Sequence, residues 1–132
     1  PRGVLWIQTD DGAYTDTTNC MMLAALPGKV GDGATATTSA GQSTFVGAKL
    51  NDENLRRFLT GPKECEITGV TMTPDYKAIF INVQHPGEDS ESYDKPTSHW
   101  PASQTDMNNK TARPRSGTVV ITRKDGGVIA GN

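Results

Sequence analysis

The 132-residue sequence is defined first by what is missing from it. No stretch approaches the run of about 18 apolar residues that a membrane-spanning helix needs. Lys and Arg total 13 against 15 Asp and Glu, with no basic stripe, which argues against a nucleic-acid partner. Apolar residues make up only 34%, so the chain is not a helix bundle rich in Ala and Leu. There is no Ser-His-Asp order, no P-loop and no Cys/His spacing of the zinc type. Only two cysteines occur, Cys20 and Cys65. They read either as one disulfide or as two buried thiols acting as small apolar residues. The first residue is Pro1, with no basic-then-apolar leader before it, and the chain reads as trimmed, either a processed product or a piece, natural or prepared, of something longer.

Short strands and turns are what the sequence does contain, with 14 Gly and 8 Pro to make the turns. Val4 to Thr9, Asn19 to Ala25, Leu55 to Leu59, Glu66 to Thr73, Ala78 to Val83 and Gly117 to Arg123 have strand length and β-type composition. Thr44 to Leu50 and Val128 to Ala130 are weaker strand candidates. In Glu66 to Thr73 the alternation predicts Ile67, Gly69, Thr71 and Thr73 on one face, opposite Thr68, Val70 and Met72. Thr73-Pro74-Asp75-Tyr76 is the turn into the returning strand. Gly31 to Ser43 reads as a loop, and Asp89 to Arg115, with Pro96, Pro101 and Pro114, as a long polar one.

The expected fold is therefore all-β, built of antiparallel meanders. Strand, turn, strand and a later third strand occur twice, about 1–62 and 63–132. Two such units suit two blades of a larger β-propeller, with open strand edges left for the remaining blades or for self-association.

Several residue types invite chemistry. Asp10 and Asp11 sit beside Gly12, a pairing that suits calcium, with Asp16 nearby; the same residues also make an ordinary turn. Arg56 and Arg57 are adjacent on a strand, so only one can face a site, and an arginine fork matches two phosphate oxygens. Arg113 and Arg115 offer the same chemistry around Pro114. His85 can donate a proton, with the Glu88 carboxylate close by in sequence. His99 and Trp100 suit pinning a loop.

Arg56 to Glu88 (RRFLTGPKECEITGVTMTPDYKAIFINVQHPGE) resembles the C-terminal region of the PhoX-type alkaline phosphatases. LWIQTDDG at Leu5 to Gly12, SHWP at Ser98 to Pro101 and RPRSGTVVITRKDGG at Arg113 to Gly127 follow the same order as in that family. The resemblance implies an exported, periplasmic or secreted β-propeller that hydrolyses phosphomonoesters with calcium and iron near its axis. It implies Glu66 as a metal ligand, with Asp10 and Asp11 as further metal candidates, and Arg57 and His85 as catalytic candidates. In the absence of a nucleophile motif, metal-ion catalysis is the natural mechanism for such a phosphatase. Two positions depart from the pattern: Tyr76 and Glu64 stand where Gly is common. The first asks the turn to avoid a positive φ; the second places a charge beside Glu66 that can raise its pKa or add a ligand. The competing readings are a non-catalytic module that binds calcium or self-associates, and a calcium-dependent lactonase-like hydrolase on the same fold.

Overall fold

The period-2 stretches form strands in the structure, a computed structural model that describes residues 3–10, 17–26, 33–47 and 51–131. The elements run β1 (Leu5–Gln8), β2 (Met21–Ala25), β3 (Thr35–Thr37), β4 (Ser43–Phe45), β5 (Leu55–Thr60), β6 (Glu66–Met72), β7 (Ala78–Gln84), α1 (Ala102–Thr105) and β8 (Gly117–Thr122). Two antiparallel meanders result, β1-β2-β5 and β6-β7-β8, with the β3-β4 hairpin inserted into the first. The fold is thus nearly all β, as the alternation and turn chemistry imply.

One core joins the two meanders. Met22 of β2 packs with Cys65, Ile67, Ile79, Ile81, Val83, Trp100 and Ile129. Ile79, Ile81 and Val83 alternate along β7 and so share one face of its sheet. Trp6 and Phe58 meet edge-on at 4.8 Å beside this core. Polar ties support the packing: the Ile67 amide donates to the Thr9 carbonyl at 3.3 Å, and Gln8 Nε2 donates to the Gly69 carbonyl at 3.0 Å.

Two β-bulges alter the faces that simple alternation gives. In β6 the register slips between Thr68 and Val70, so Ile67, Val70 and Met72 oppose Val83, Ile81 and Ile79. Ile67 and Met72 therefore share a face, contrary to the expected split. Gly69 permits this because its φ is 59° and the place of a Cβ lies 2.4 Å from Asn82 Nδ2. In β5 a second slip leaves Phe58 unopposed, because Met22 pairs Leu59 while Leu23 pairs Arg57. That slip keeps both Phe58 and Leu59 half-buried, although they are neighbours.

Other expectations need correction. The 31–43 stretch is not simply a loop: its described part holds β3, which pairs Thr35–Thr37 with Phe45–Ser43. The strand expected over 44–50 is confined to Ser43–Phe45, and residues 48–50 lie outside the described part. Both β3 and β4 are exposed on each face, so no hydrophobic period marked them. The 89–115 segment carries α1 and a Ser92–Lys95 bridge. His99 Nδ1 meets the Ala112 carbonyl at 2.8 Å and Trp100 is buried, which pins that segment as expected. Val128 to Ala130 forms no strand, although the Ile129 amide donates to the Tyr76 carbonyl at 2.8 Å. Cys20 and Cys65 are not joined by a disulfide, so that alternative falls.

The turn at Tyr76 does adopt a positive φ, 58°, contrary to expectation. The Asp75 carboxylate accepts from Thr73 Oγ1 at 2.6 Å and from the Lys77 amide at 3.1 Å, which closes the turn around the strained residue. A left-handed L-residue costs about 1–2 kcal/mol, partly offset by the extra unfolded-state freedom of Gly. Tyr76→Gly is therefore expected to stabilise the protein by about 0.5–1 kcal/mol, read as a higher thermal midpoint. A lower midpoint would show that the half-exposed ring contributes more than its backbone costs.

Candidate functional site

The segment preceding β6 and the segment following β7 are bound to each other. The Gly87 amide donates to the carbonyls of Lys63 at 3.0 Å and Glu64 at 2.9 Å. The ECE and QHPGE blocks thereby form one structure at the open end of the β6-β7 pair. Glu66 starts β6 opposite Gln84, and the next residue after Gln84 is His85. This register brings Glu66 and His85 together.

His85 lies between two carboxylates. Its Nε2 is 3.5 Å from Glu66 Oε2, and its Nδ1 is 3.0 Å from Glu88 Oε2. Nδ1 is itself buried and finds no aligned hydrogen-bond acceptor, so the Glu88 contact is a close approach rather than a directed bond. The His85 backbone is held at φ 34°, and its amide donates to Ser116 Oγ at 3.0 Å. Such backbone strain persists only where the surrounding structure holds it.

Glu64 does not join this cluster. Its carboxylate accepts a hydrogen bond from Thr97 Oγ1 and pairs with Lys63 Nζ at 3.0 Å. Burial acts to raise its pKa, but the Thr97 and Lys63 bonds outweigh it and hold the carboxyl below its ordinary value. The charge that replaces the usual Gly is thus directed toward the 97 loop, although its backbone keeps the positive φ, 54°, that Gly would adopt freely.

Asp10 follows β1, exposed, next to the Thr9 carbonyl that binds the Ile67 amide. That bond joins the neighbours of Asp10 and Glu66, which places the two carboxylates at the same end. Burial above all, then the Cys20 thiol, push the Cys65 thiol up to about 12, so at neutral pH it is a small core residue and not a nucleophile. Asp11 and Asp16 lie outside the described residues.

Arg57 is placed apart from His85. It lines a cleft of about 320 Å³ with Thr9, Thr17, Thr18, Met21 and Leu23. Arg56 lines a different cleft, with Glu53 and Ala130, so the two arginines do face opposite ways. Arg113 is occupied: Nη2 meets Asp94 Oδ1 at 2.6 Å and its guanidinium lies 3.6 Å over the Tyr93 ring. A larger cleft, about 530 Å³, runs between the Ile81, Val83, Val119 and Ile121 face and the 97–110 segment, and none of the candidate residues lines it. With no carboxylate in its walls, it is the less suitable place for cation chemistry.

The donor chemistry fits part of a hard-cation site. Calcium takes six to eight oxygens. Glu66 and Glu88 present carboxylates within reach of one histidine, with Asp10 at the adjoining strand end. Among the described residues no group of three or more His, Cys, Asp or Glu is arranged to hold an ion alone.

The family model described as "Alkaline phosphatase PhoX" matches residues 1–87, and the chain belongs to that family. It is similar to the solved structure of Pseudomonas fluorescens PhoX in complex with vanadate, a transition state analogue. The two share 31% identity and a TM-score of 0.63 over 96% of this chain. The chain spans only 17% of that structure's length. No curated protein sequence matches it.

Proposed function

We propose that the chain is the C-terminal part of a metal-dependent phosphomonoesterase of the alkaline phosphatase type. Its two units, about 1–62 and 63–132, are two blades of a larger propeller. The observation that carries this reading is the Glu66–His85–Glu88 cluster at the end where β1 and β6 meet, within a chain that belongs to the PhoX family. Further blades, or a second copy, cover the outer edges of β1 and β8. Export to the periplasm or the medium follows from the family resemblance.

In this reading Glu66 is a metal ligand, supported by Asp10, and Asp11 is a further candidate. Calcium and iron are the cations implied, and when bound they supply charge neutralisation at the phosphoryl oxygens. Glu88 holds the His85 ring in place. His85 then keeps Glu66 oriented and donates the proton that the leaving alkoxide takes. Arg57, on its separate cleft, is the remaining catalytic candidate of this reading, as a group that can balance phosphate charge.

Full-length protein is expected to contain calcium and iron and to hydrolyse p-nitrophenyl phosphate. Glu66→Gln should lower activity by at least the roughly 10–100-fold that even an outer metal partner is worth. It should also lower the calcium content found by elemental analysis. Unchanged activity with unchanged metal would remove Glu66 from the site, and a full-length protein inactive on phosphomonoesters would remove the reading.

A further inference from the structure

Glu88 stands 3.0 Å from His85 Nδ1 with no directed bond between them, and its side chain is 48% exposed. The contact does not hold the carboxylate in place by itself, so the backbone that carries Glu88 must do so. That backbone is a turn. The Ser90 amide donates to the Gly87 carbonyl at 3.1 Å, which makes Glu88 the first of the turn's two central residues.

Two hydroxyls lock the turn. Ser90 Oγ donates to the same Gly87 carbonyl and accepts from the Thr97 amide at 3.0 Å. Thr97 Oγ1 lies 3.1 Å from Ser90 Oγ and donates to the Glu64 carboxylate. Each hydroxyl has one proton, so Ser90 closes the turn while Thr97 ties that closure to Glu64. Glu64 is the fixed end of the tie. Its side chain is 11% exposed and paired with Lys63, and its carbonyl accepts from the amides of Gly87 at 2.9 Å and Glu88 at 3.4 Å. The turn is thus fastened to one residue twice, once through its own backbone and once through Ser90 and Thr97. The fit is close as well: a Cβ at Gly87 would lie 3.1 Å from Ser98 Cβ and 3.2 Å from the Ser98 amide nitrogen, so the turn leans directly on the 97–98 backbone.

We infer that Ser90 and Thr97 are positioning residues of the site: they hold the Gly87–Ser90 turn so that Glu88 stays against the His85 ring, with Glu64 as their anchor. The inference rests on the phosphomonoesterase reading, in which His85 acts and Glu88 holds its ring. Neither hydroxyl touches the reacting atoms in this arrangement. Without Ser90 Oγ the turn keeps one amide bond and loses its link to the 97 segment. Without Thr97 Oγ1 the link remains but is no longer anchored to a charged acceptor, the stronger kind of bond. Either loss lets Glu88 drift from His85 while the hairpin below stays paired.

The test is kcat and KM for p-nitrophenyl phosphate in the full-length protein and its variants. Ser90→Ala and Thr97→Val should each lower kcat about ten-fold, the low end of what an outer partner of a metal site is worth. Because they act through Glu88 and not on bound substrate, KM should stay within about two-fold. Thr97→Ser keeps the hydroxyl and should retain the wild-type kcat. Thr105→Val removes a hydroxyl of the same segment that bonds the Ala102 carbonyl of α1, and it should leave kcat unchanged. Glu88→Ala separates positioning from general loosening: in that background Ser90→Ala should lower kcat by less than about a further two-fold. Independent losses in that cycle overturn the inference, as do equal losses in Thr97→Ser and Thr97→Val, or an unchanged kcat in both Ser90→Ala and Thr97→Val. A wild type that hydrolyses no phosphomonoester overturns the phosphatase reading and the inference together, so the wild type alone tells the two failures apart.

Discussion

Gly61→Ala is expected to lower stability by about 1–3 kcal/mol, although it adds a single methyl group. Gly61 is buried at the end of β5, where its amide donates to the Cys20 carbonyl at 2.8 Å and its carbonyl accepts from Asn19 Nδ2 at 3.0 Å. A Cβ there would lie 2.4 Å from Cys65 Sγ, 2.7 Å from Ile67 Cδ1 and 3.3 Å from the Cys20 carbonyl oxygen. Neither near neighbour is the free end of a flexible chain: Cys65 and Ile67 are 2% and 1% exposed. The backbone is tethered on both sides, so it cannot move aside cheaply. Against a total stability of about 5–15 kcal/mol, the loss would be plain in a denaturant titration. The clash has a named partner, so Cys65→Ala should absorb part of it. In that background Gly61→Ala should cost at least about 0.5 kcal/mol less than in wild type. Strictly additive costs would mean that the methyl group meets something other than the thiol.

A still larger loss is expected from Ile79→Ala, about 2–5 kcal/mol. Ile79 is 0% exposed, lies on the central strand of its meander, and stands opposite Met72 on one side and Ile121 on the other. Removing its branched chain leaves a hole that two anchored strands cannot close. The comparison is Val120→Ala on the adjacent edge strand, where the side chain is 53% exposed. That change should stay within about 0.5 kcal/mol. Similar costs for both would show that the core does not centre on β7, and that Met22 is not packed against it.

The parts of the fold that the sequence reveals are those with one wet face and one dry face. β7 alternates apolar and polar because Ile79, Ile81 and Val83 share the core side, and this gives a period-2 pattern. β3 and β4 have no dry face, so Thr, Ala and Ser carry no signal there. The two bulges are hidden for another reason. A bulge is a property of a pair of strands, and β5 pairs with β2 across the whole inserted hairpin. Nothing local in LRRFL states which residue will be left over. The same holds for the site. Glu66 and His85 are 19 positions apart, yet the hairpin register brings them together, and the Thr73–Tyr76 turn makes that register readable. The surroundings of Arg57 depend on residues 9, 17, 18, 21 and 23, which only the tertiary fold assembles. The Glu64 and Tyr76 departures were visible as missing glycines, but not their outcome: the backbone kept the glycine-like φ at both positions.

The inserted β3-β4 hairpin leaves the first meander at Leu26 and returns at Asn54, and there the Leu26 amide donates to the Asn54 carbonyl at 2.9 Å. The insertion therefore hangs from a closed neck, and its two described strands bury nothing against the core. Lengthening a loop whose ends are already held adds only about 0.6 kcal/mol of closure entropy per doubling. Natural variation in length should accordingly collect at this neck rather than in the tight β6-β7 turn. For the engineer it is the position where a reporter or an affinity tag can be spliced into the chain without disturbing the carboxylates at the other end of the sheet.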